Sequence, residues 1–383
     1  MQKKINLKKF FINTKSHEVL SSFFKNYELS DVPFVPETTS PKDRGSILVE
    51  FYKNIDDIDK KKTIAKDIAD ISLLCSIDGA KILENIFKDS GNLELIMSES
   101  LHDIAISYFL NDNKLFLEAK KVFEAYTKTG WQRYPAEKKA VKDIDEVNKT
   151  LKDVFKTIFS NQNSNTNTGE EESAVSVQTT KFEDLYITIV SDENVTIYLV
   201  YMPDHGEVLV KAKGKKETLY EYAETYMRNM TGESIENKVI AYDITRFIDV
   251  QNEDNILAPL GNFTGVRSWH MKNIELANNN LKQKIKLTFP TLSEKPGAGQ
   301  MWEMLNELKL KDKLETMQIV KINIMFSLFD ENNTDSKINV NLALSATTSN
   351  LNIINKRHRT VDEMLKMAAV NIGFVDLDTE KEK

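Results

Sequence analysis

The groups able to ligate a metal, attack an electrophile or carry a proton near neutral pH are few in this sequence and stand apart from one another. Its five histidines, His17, His102, His205, His270 and His358, are scattered singly. A metal centre needs nitrogen, sulfur or carboxylate ligands spaced to meet on one helix face or across one turn, and no histidine pair has that spacing. Each reads as a turn, cap-neighbour or sheet residue, and no metal or cofactor is expected. The single thiol, Cys75, closes the apolar stripe Ile64, Ile68, Ile71, Cys75 of an expected helix. An activated thiolate needs a partly exposed, electropositive site, so Cys75 reads as a small core residue. No Gly-x-Ser-x-Gly nucleophile elbow occurs.

Two constellations come closer to chemistry. Asp204 and Glu207 lie just ahead of Lys211 and Lys213, as in a metal-dependent nuclease, where an acid and a lysine two positions apart on one strand share an ion with an upstream acid. Glu207-Val-Leu-Val-Lys211 is two residues too long, and these read as hairpin polar residues. Lys295-Pro-Gly-Ala-Gly-Gln300 ahead of an expected helix could aim backbone amides at an anion. It lacks the Lys-Ser/Thr of the P-loop and the third glycine of the dinucleotide fingerprint, and reads as a strand-to-helix turn.

Basic groups supply the remaining candidates. Lys211, Lys213 and Lys215 alternate along an expected strand end with Lys216 beside them, and Lys356-Arg357-His358-Arg359 precedes an expected helix start. These lysines with Arg357 and Arg359 could hold nucleic-acid phosphates; the competing reading is solvated, edge-protecting charge. Trp131-Gln-Arg-Tyr134 offers an aromatic and basic loop that could stack on a base, or pack back on its own bundle.

Helical periodicity positions these groups in the first half and strand signals position them in the second. Pro33, Pro36 and Pro41 mark an extended connection between Leu29 and Ser46. Helices follow over the Ile64–Cys75 stripe, over Asp78 to Phe87, after a Ser100-Leu-His-Asp103 capping box, after the Asn111-Asp112-Asn113 turn with a stripe from Leu115 to Tyr126, and from Ala136 to Phe159. The run SNQNSNTNTGEEES carries no apolar residue and predicts a polar tether over 160–180. Strands are expected at 182–190, 195–202, 207–212, 238–244, 267–276, 284–289, 319–329 and 338–344. Helices are expected at 218–230, ending near Thr231-Gly232, at 300–310, and from a second capping box, Thr360-Val-Asp-Glu363, to about Val370. The expected fold is a helical domain over 1–159, the tether, and an α+β domain over 181–383 whose sheet is largely antiparallel, since helices are missing from most crossovers.

Composition agrees with two globular domains. The 383 residues exceed the roughly 250–300 at which one core stops growing. With 58 acidic and 51 basic residues interspersed, the net charge of −7 creates no field that would gather phosphate backbones. One cysteine suits a reducing compartment, and no export signal is read in the first residues. The longest charge-free run, Ile338 to Asn355, carries too many asparagines, serines and threonines to cross a bilayer, so a cytoplasmic chain without a membrane role is expected.

The stretches Ser98-Glu-Ser-Leu-His-Asp-Ile-Ala-Ile-Ser-Tyr-Phe-Leu-Asn-Asp-Asn-Lys-Leu-Phe116 and Lys337 to Asn352, with Ile372-Gly-Phe374, resemble a loosely defined group of bacterial proteins with a helical front and a strand-rich back and no assigned activity. The resemblance implies a bacterial or mobile-element origin and carries no residue role. The missing catalytic constellations, combined with two domains on a tether, lead to the expectation of a non-catalytic accessory or regulatory protein of a bacterial multi-component system, such as an antiphage or mobile-element module, with protein partners. A nucleic-acid binder using the basic face, or an enzyme whose site is assembled from distant residues, are the alternatives.

Overall fold

Small polar side chains start the helices of the first half. The side-chain oxygens of Asn6, Ser16, Ser40, Asp57, Ser76 and Ser100 each accept a hydrogen bond from a first-turn backbone N–H that has no partner within its helix. The computed structural model describes residues 6–36, 38–91, 100–163, 174–242, 266–278, 283–288, 307–309, 318–330, 333–345, 352–367 and 372–376. The chain divides into two units, Met1–Ala125 and Tyr126–Lys383.

The first unit is helical: α1 (Leu7–Asn13), α2 (His17–Lys25), α3 (Pro41–Lys53), α4 (Ile58–Leu74), α5 (Ile77–Asp89), α6 (Leu101–Asn111) and α7 (Asn113–Tyr126). The helix-free connection expected from Leu29 to Ser46 ends early, at Ser40, because Pro41 takes the first position of α3, where its missing N–H and fixed φ cost nothing. Phenylalanines fill the core, with Phe10, Phe11, Phe23, Phe24, Phe87 and Phe116 all buried. A second link is polar. The Asp103 carboxylate accepts hydrogen bonds from the backbone N–H groups of Lys15 and Ser16, both at 3.0 Å, while the Ser100 hydroxyl donates to the Asn13 carbonyl at 2.7 Å. The start of α6 thereby fixes the turn between α1 and α2.

The second unit is α+β, and every strand pairing described is antiparallel. Its five-stranded sheet has the order β1-β5-β4-β3-β2, built from β1 (Gln132–Pro135), β2 (Ser176–Phe182), β3 (Leu185–Ser191), β4 (Thr196–Met202) and β5 (Glu207–Lys211). Helices α8 (Ile144–Asn163) and α9 (Lys216–Met230) share one core with this sheet. Val147, Leu151, Phe155 and Phe159 from α8 and Tyr222, Tyr226, Met227 and Met230 from α9 meet Tyr134, Leu199, Tyr201, Val208 and Val210. Beneath α9, the hydroxyls of Thr179 and Thr188 lie 2.8 Å apart, Thr188 donates to Tyr226, and Tyr226 donates to the Tyr186 carbonyl, so this buried polar line is satisfied throughout.

A four-stranded sheet follows in the order β10-β9-β7-β8, from β7 (Val266–Asn278), β8 (Gln283–Thr288), β9 (Gln318–Asp330) and β10 (Asn333–Ser345). A pair joins β6 (Lys238–Tyr242) to β11 (Ile372–Asp376). Among the described residues helix α10 (Lys356–Met367) is the last.

Four further sequence expectations change. The helix expected over 136–159 begins at Ile144 and belongs to the second unit, because its stripe faces the sheet. That helix and β2 also occupy the two ends of the expected tether, of which 164–173 lies outside the described residues. The strand expected over 182–190 is a hairpin, β2 and β3, turning at Glu183-Asp184. The Thr360-Val-Asp-Glu363 capping box is no helix start, since α10 begins at Lys356, four residues earlier. The expected helix over 300–310 lies, apart from 307–309, outside the described residues.

At the α4–α5 junction the chain reverses over Cys75 and Ser76 so tightly that a Cβ on Gly79 would stand 2.3 Å from the Leu74 carbonyl oxygen. Alanine is the better helix former by about 1 kcal/mol, yet here the clash is with backbone that cannot turn aside. Gly79→Ala is therefore expected to lower stability by about 1–3 kcal/mol, read as a lower urea midpoint at unchanged slope. A raised midpoint would show that the reversal is loose.

Candidate functional site

Strand alternation sets Arg133 on the face of β1 opposite Tyr134. Tyr134 enters the helix-covered core, and Arg133 is carried to the other side of the sheet. At the start of the neighbouring strand β5, Glu207 is likewise opposed to Val208. Both would be isolated buried charges, at 4% and 3% exposure, without each other and without α10. The Arg133 guanidinium donates from Nε to Glu207 Oε2 at 2.9 Å and from Nη2 to Oε1 and Oε2 at 3.0 and 2.7 Å. Its Nη1 and Nη2 donate to Asp362 Oδ1 and Oδ2 at 2.7 and 2.9 Å. One planar guanidinium is thus gripped by two carboxylates in the forked geometry that only arginine offers. Lys366, one turn along α10 from Asp362, completes the group, with Nζ 2.6 Å from Glu207 Oε1 and 3.0 Å from Asp362 Oδ2.

A second clamp lies on the same face of α10. Arg359, Asp362 and Lys366 are spaced by three and four residues, so they share one stripe. Arg359 Nη1 donates to both Asp184 carboxylate oxygens at 3.0 Å and its Nη2 to Glu183 Oε2 at 3.2 Å. Glu183 and Asp184 form the β2–β3 turn, where Glu183 sits at φ +54°. Two-residue hairpin turns favour Asn-Gly because positive φ costs other residues energy; here the cost falls on a residue whose carboxylate is held by a buried arginine. At the far rim, His205 in the β4–β5 turn approaches Glu363 at 3.9 Å.

The quartet carries two positive and two negative charges; Arg133, Glu207 and Asp362 are buried, and Lys366 closes the group toward solvent at 24% side-chain exposure. Burial alone would lower the Arg133 pKa; the Asp362 and Glu207 carboxylates more than reverse this and raise it. Burial alone would raise the Asp362 carboxyl, but Arg133 and then Lys366 hold it below the usual carboxylate range. A general base needs an accessible proton acceptor of intermediate affinity, and a metal-binding carboxylate needs free oxygen lone pairs. Here guanidinium and ammonium occupy the positions a divalent ion would take. The acid of the nuclease-like hairpin, Glu207, is used in this way, and Lys211 is turned away, its Nζ donating to the Gly130 carbonyl at 3.1 Å.

The other sequence candidates stay dispersed. Strand β5 ends at Lys211, so Lys213 and Lys215 stand exposed in the loop before α9 instead of sharing a strand face, and Lys216 opens that helix. Arg359, expected to be available to phosphate, is 8% exposed and ion-paired. The Arg357 side chain, the 295–300 glycine loop and the His270 side chain lie outside the described residues. Trp131 and Tyr134 are buried beside and within β1. Cys75 caps α4 and donates its thiol to the Ile71 carbonyl at 3.2 Å, and burial with Asp103 nearby pushes it up to about 12. Among the described residues no group of three or more histidine, cysteine, aspartate or glutamate side chains could hold a metal ion, and no helix is long and apolar enough to cross a membrane.

No protein-family model matches the chain, and no curated protein matches it. Removing one partner of a buried ion pair costs about 3–5 kcal/mol because the remaining charge is stranded. Arg133→Met is expected to lose that much, and adding Glu207→Leu to recover part of it. A carboxyl whose folded pKa lies below its unfolded value of about 3.9 contributes stability that is complete above that pH and is lost as pH falls through the folded pKa. Urea melts from pH 7 downward should therefore show an acid-side loss below about pH 4 in the wild type that is shallower in Arg133→Met. Additive costs, or identical acid limbs, would show that the quartet does not act as a unit.

Proposed function

We propose that this chain is a non-catalytic accessory or regulatory protein of a bacterial multi-component system, such as an antiphage or mobile-element module, and that it works by binding other proteins. The observation that carries this reading is the self-neutralised quartet. The densest gathering of acids and bases among the described residues spends all four charges on holding α10 to the sheet. Two compact units also give one chain two separate surfaces. On the first, Phe34 is 70% exposed between Pro33 and Pro36, while its neighbour Val35 is buried and the His17 ring stands edge-on to Phe34 at 5.0 Å. An aromatic held between prolines loses little freedom when a partner covers it.

Affinity purification of the tagged chain at native expression tests the reading. A companion protein captured in fixed ratio by the wild type, and lost with Phe34→Ser at unchanged thermal stability, is the expected outcome. A chain that elutes alone counts against it, as does a companion indifferent to Phe34.

One observation favours a second reading, nucleic-acid binding: Lys213 and Lys215 are exposed where α9 starts without a side-chain cap. Binding through Lys211, Lys213, Lys215 and Lys216 must weaken with salt, and Lys213→Ala with Lys215→Ala should reduce the logarithmic salt slope by about 2 on duplex DNA. Undetectable or salt-independent binding to DNA and RNA removes this alternative.

A further inference from the structure

Sheet edges present unpaired backbone groups that invite another strand, and proteins blunt them with brevity, lysine, proline or cover. Three of the four edges of the two larger sheets follow that rule. Strand β1 has four residues and ends in Pro135; β2 carries Lys181 and runs along α8; β8 has six residues, with Lys284 and Lys286 exposed. The fourth does not. Strand β10 spans thirteen residues, and among the described residues it is hydrogen-bonded to β9 alone. Its irregularity and charges, Asp335 and Lys337, fall at one end, between Asn333 and Lys337. The eight residues Ile338 to Ser345 contain no charge, proline or glycine.

The register with β9 assigns the faces. Ile338, Val340, Leu342 and Leu344 stand opposite Leu328, Phe326, Ile324 and Ile322, all buried, whereas Asn339, Asn341 and Ala343 stand opposite Ser327, Met325 and Asn323. Read from Asn341 outward, the pattern is the same in both directions. An antiparallel copy centred there sets Val340 against Leu342, Asn339 against Ala343 and Ile338 against Leu344. Apolar positions meet apolar ones, and the twofold axis, perpendicular to the sheet, keeps the apolar face of both copies on one side. The interaction closes on itself, as an isologous contact must.

We infer that β10 is a self-association edge through which two copies of this chain pair antiparallel about Asn341, joining their four-stranded sheets into one. This inference does not rest on the proposed accessory function and survives its failure.

The full-length chain tests it by light scattering on a sizing column. The wild type should run at twice its 43.9 kDa. Asn341→Lys and Asn341→Glu should each run at the single mass, because the substitution brings two like charges together only in the pair, and mixing the two variants should restore the doubled mass. Hydrogen exchange on the wild type gives an independent reading, with the amides of 338–344 slowing as concentration rises. A wild type of single mass at every concentration would overturn the inference. So would a dimer retained in both charge variants, a mixture that fails to associate, or protection of 338–344 only when another protein is added.

Discussion

The second unit buries a guanidinium, and the placement of β5, α10 and the β2–β3 turn answers the cost of doing so. An unpaired charge inside a protein is destabilising by several kcal/mol, so Arg133 on the α10 side of β1 requires acceptors on both flanks of its plane. Glu207 supplies one from the adjacent strand, and Asp362 supplies the other from a helix 229 residues away. The helix then brings Lys366 to balance the second carboxylate and Arg359 to hold the hairpin turn. Replacing such a group with hydrocarbon of the same shape often preserves or raises stability. Its usefulness lies elsewhere: only one rotation and one height of α10 satisfy the four charges together, whereas a greasy helix could slide.

The first unit solves a similar problem with backbone. Asp103, only 2% exposed, accepts from two main-chain N–H groups, so one carboxylate ties down both Lys15 and Ser16. In both units a long-range polar contact sets the position of an element whose apolar packing alone would leave its register loose. In neither is the charge left available to a substrate, which is why the polar residues that attract attention in the sequence look so different in the fold.

Elements whose identity depends on their own residues were readable from sequence. The stripe Tyr222, Tyr226, Met227, Met230 and the Thr231-Gly232 stop define α9, with Gly232 at φ +89° as a helix end requires. The alternation of β9 and the charge-free run of β10 were also legible. Elements defined by a distant neighbour were not. Strand β1 is four residues with no periodicity, and it is a strand because β5 lies beside it. The apolar stripe of α8 announces a buried face without naming what it is buried against. Arg359 and Glu207 looked like exposed chemistry because local sequence shows charge and hides a partner 175 or 74 residues away. The signal that could have found the quartet is an arginine flanked by Trp131 and Tyr134, two large aromatics that mark its strand as interior.

The distance between Arg133 and Asp362 also has a meaning in time. Chains are synthesised from the N-terminus at about 5–20 residues per second, so a gap of 229 residues separates the two groups by roughly ten to forty-five seconds. Glu207 follows Arg133 by 74 residues, so for roughly the last two-thirds of that interval β1 to β5 exist and can pair; the arginine on edge strand β1 then has one of its two carboxylates, and the Glu183 turn has no clamp. The sheet is therefore assembled early and closed late. Helix α10, nearly the last element described, completes a centre that was begun about a third of the way along the chain.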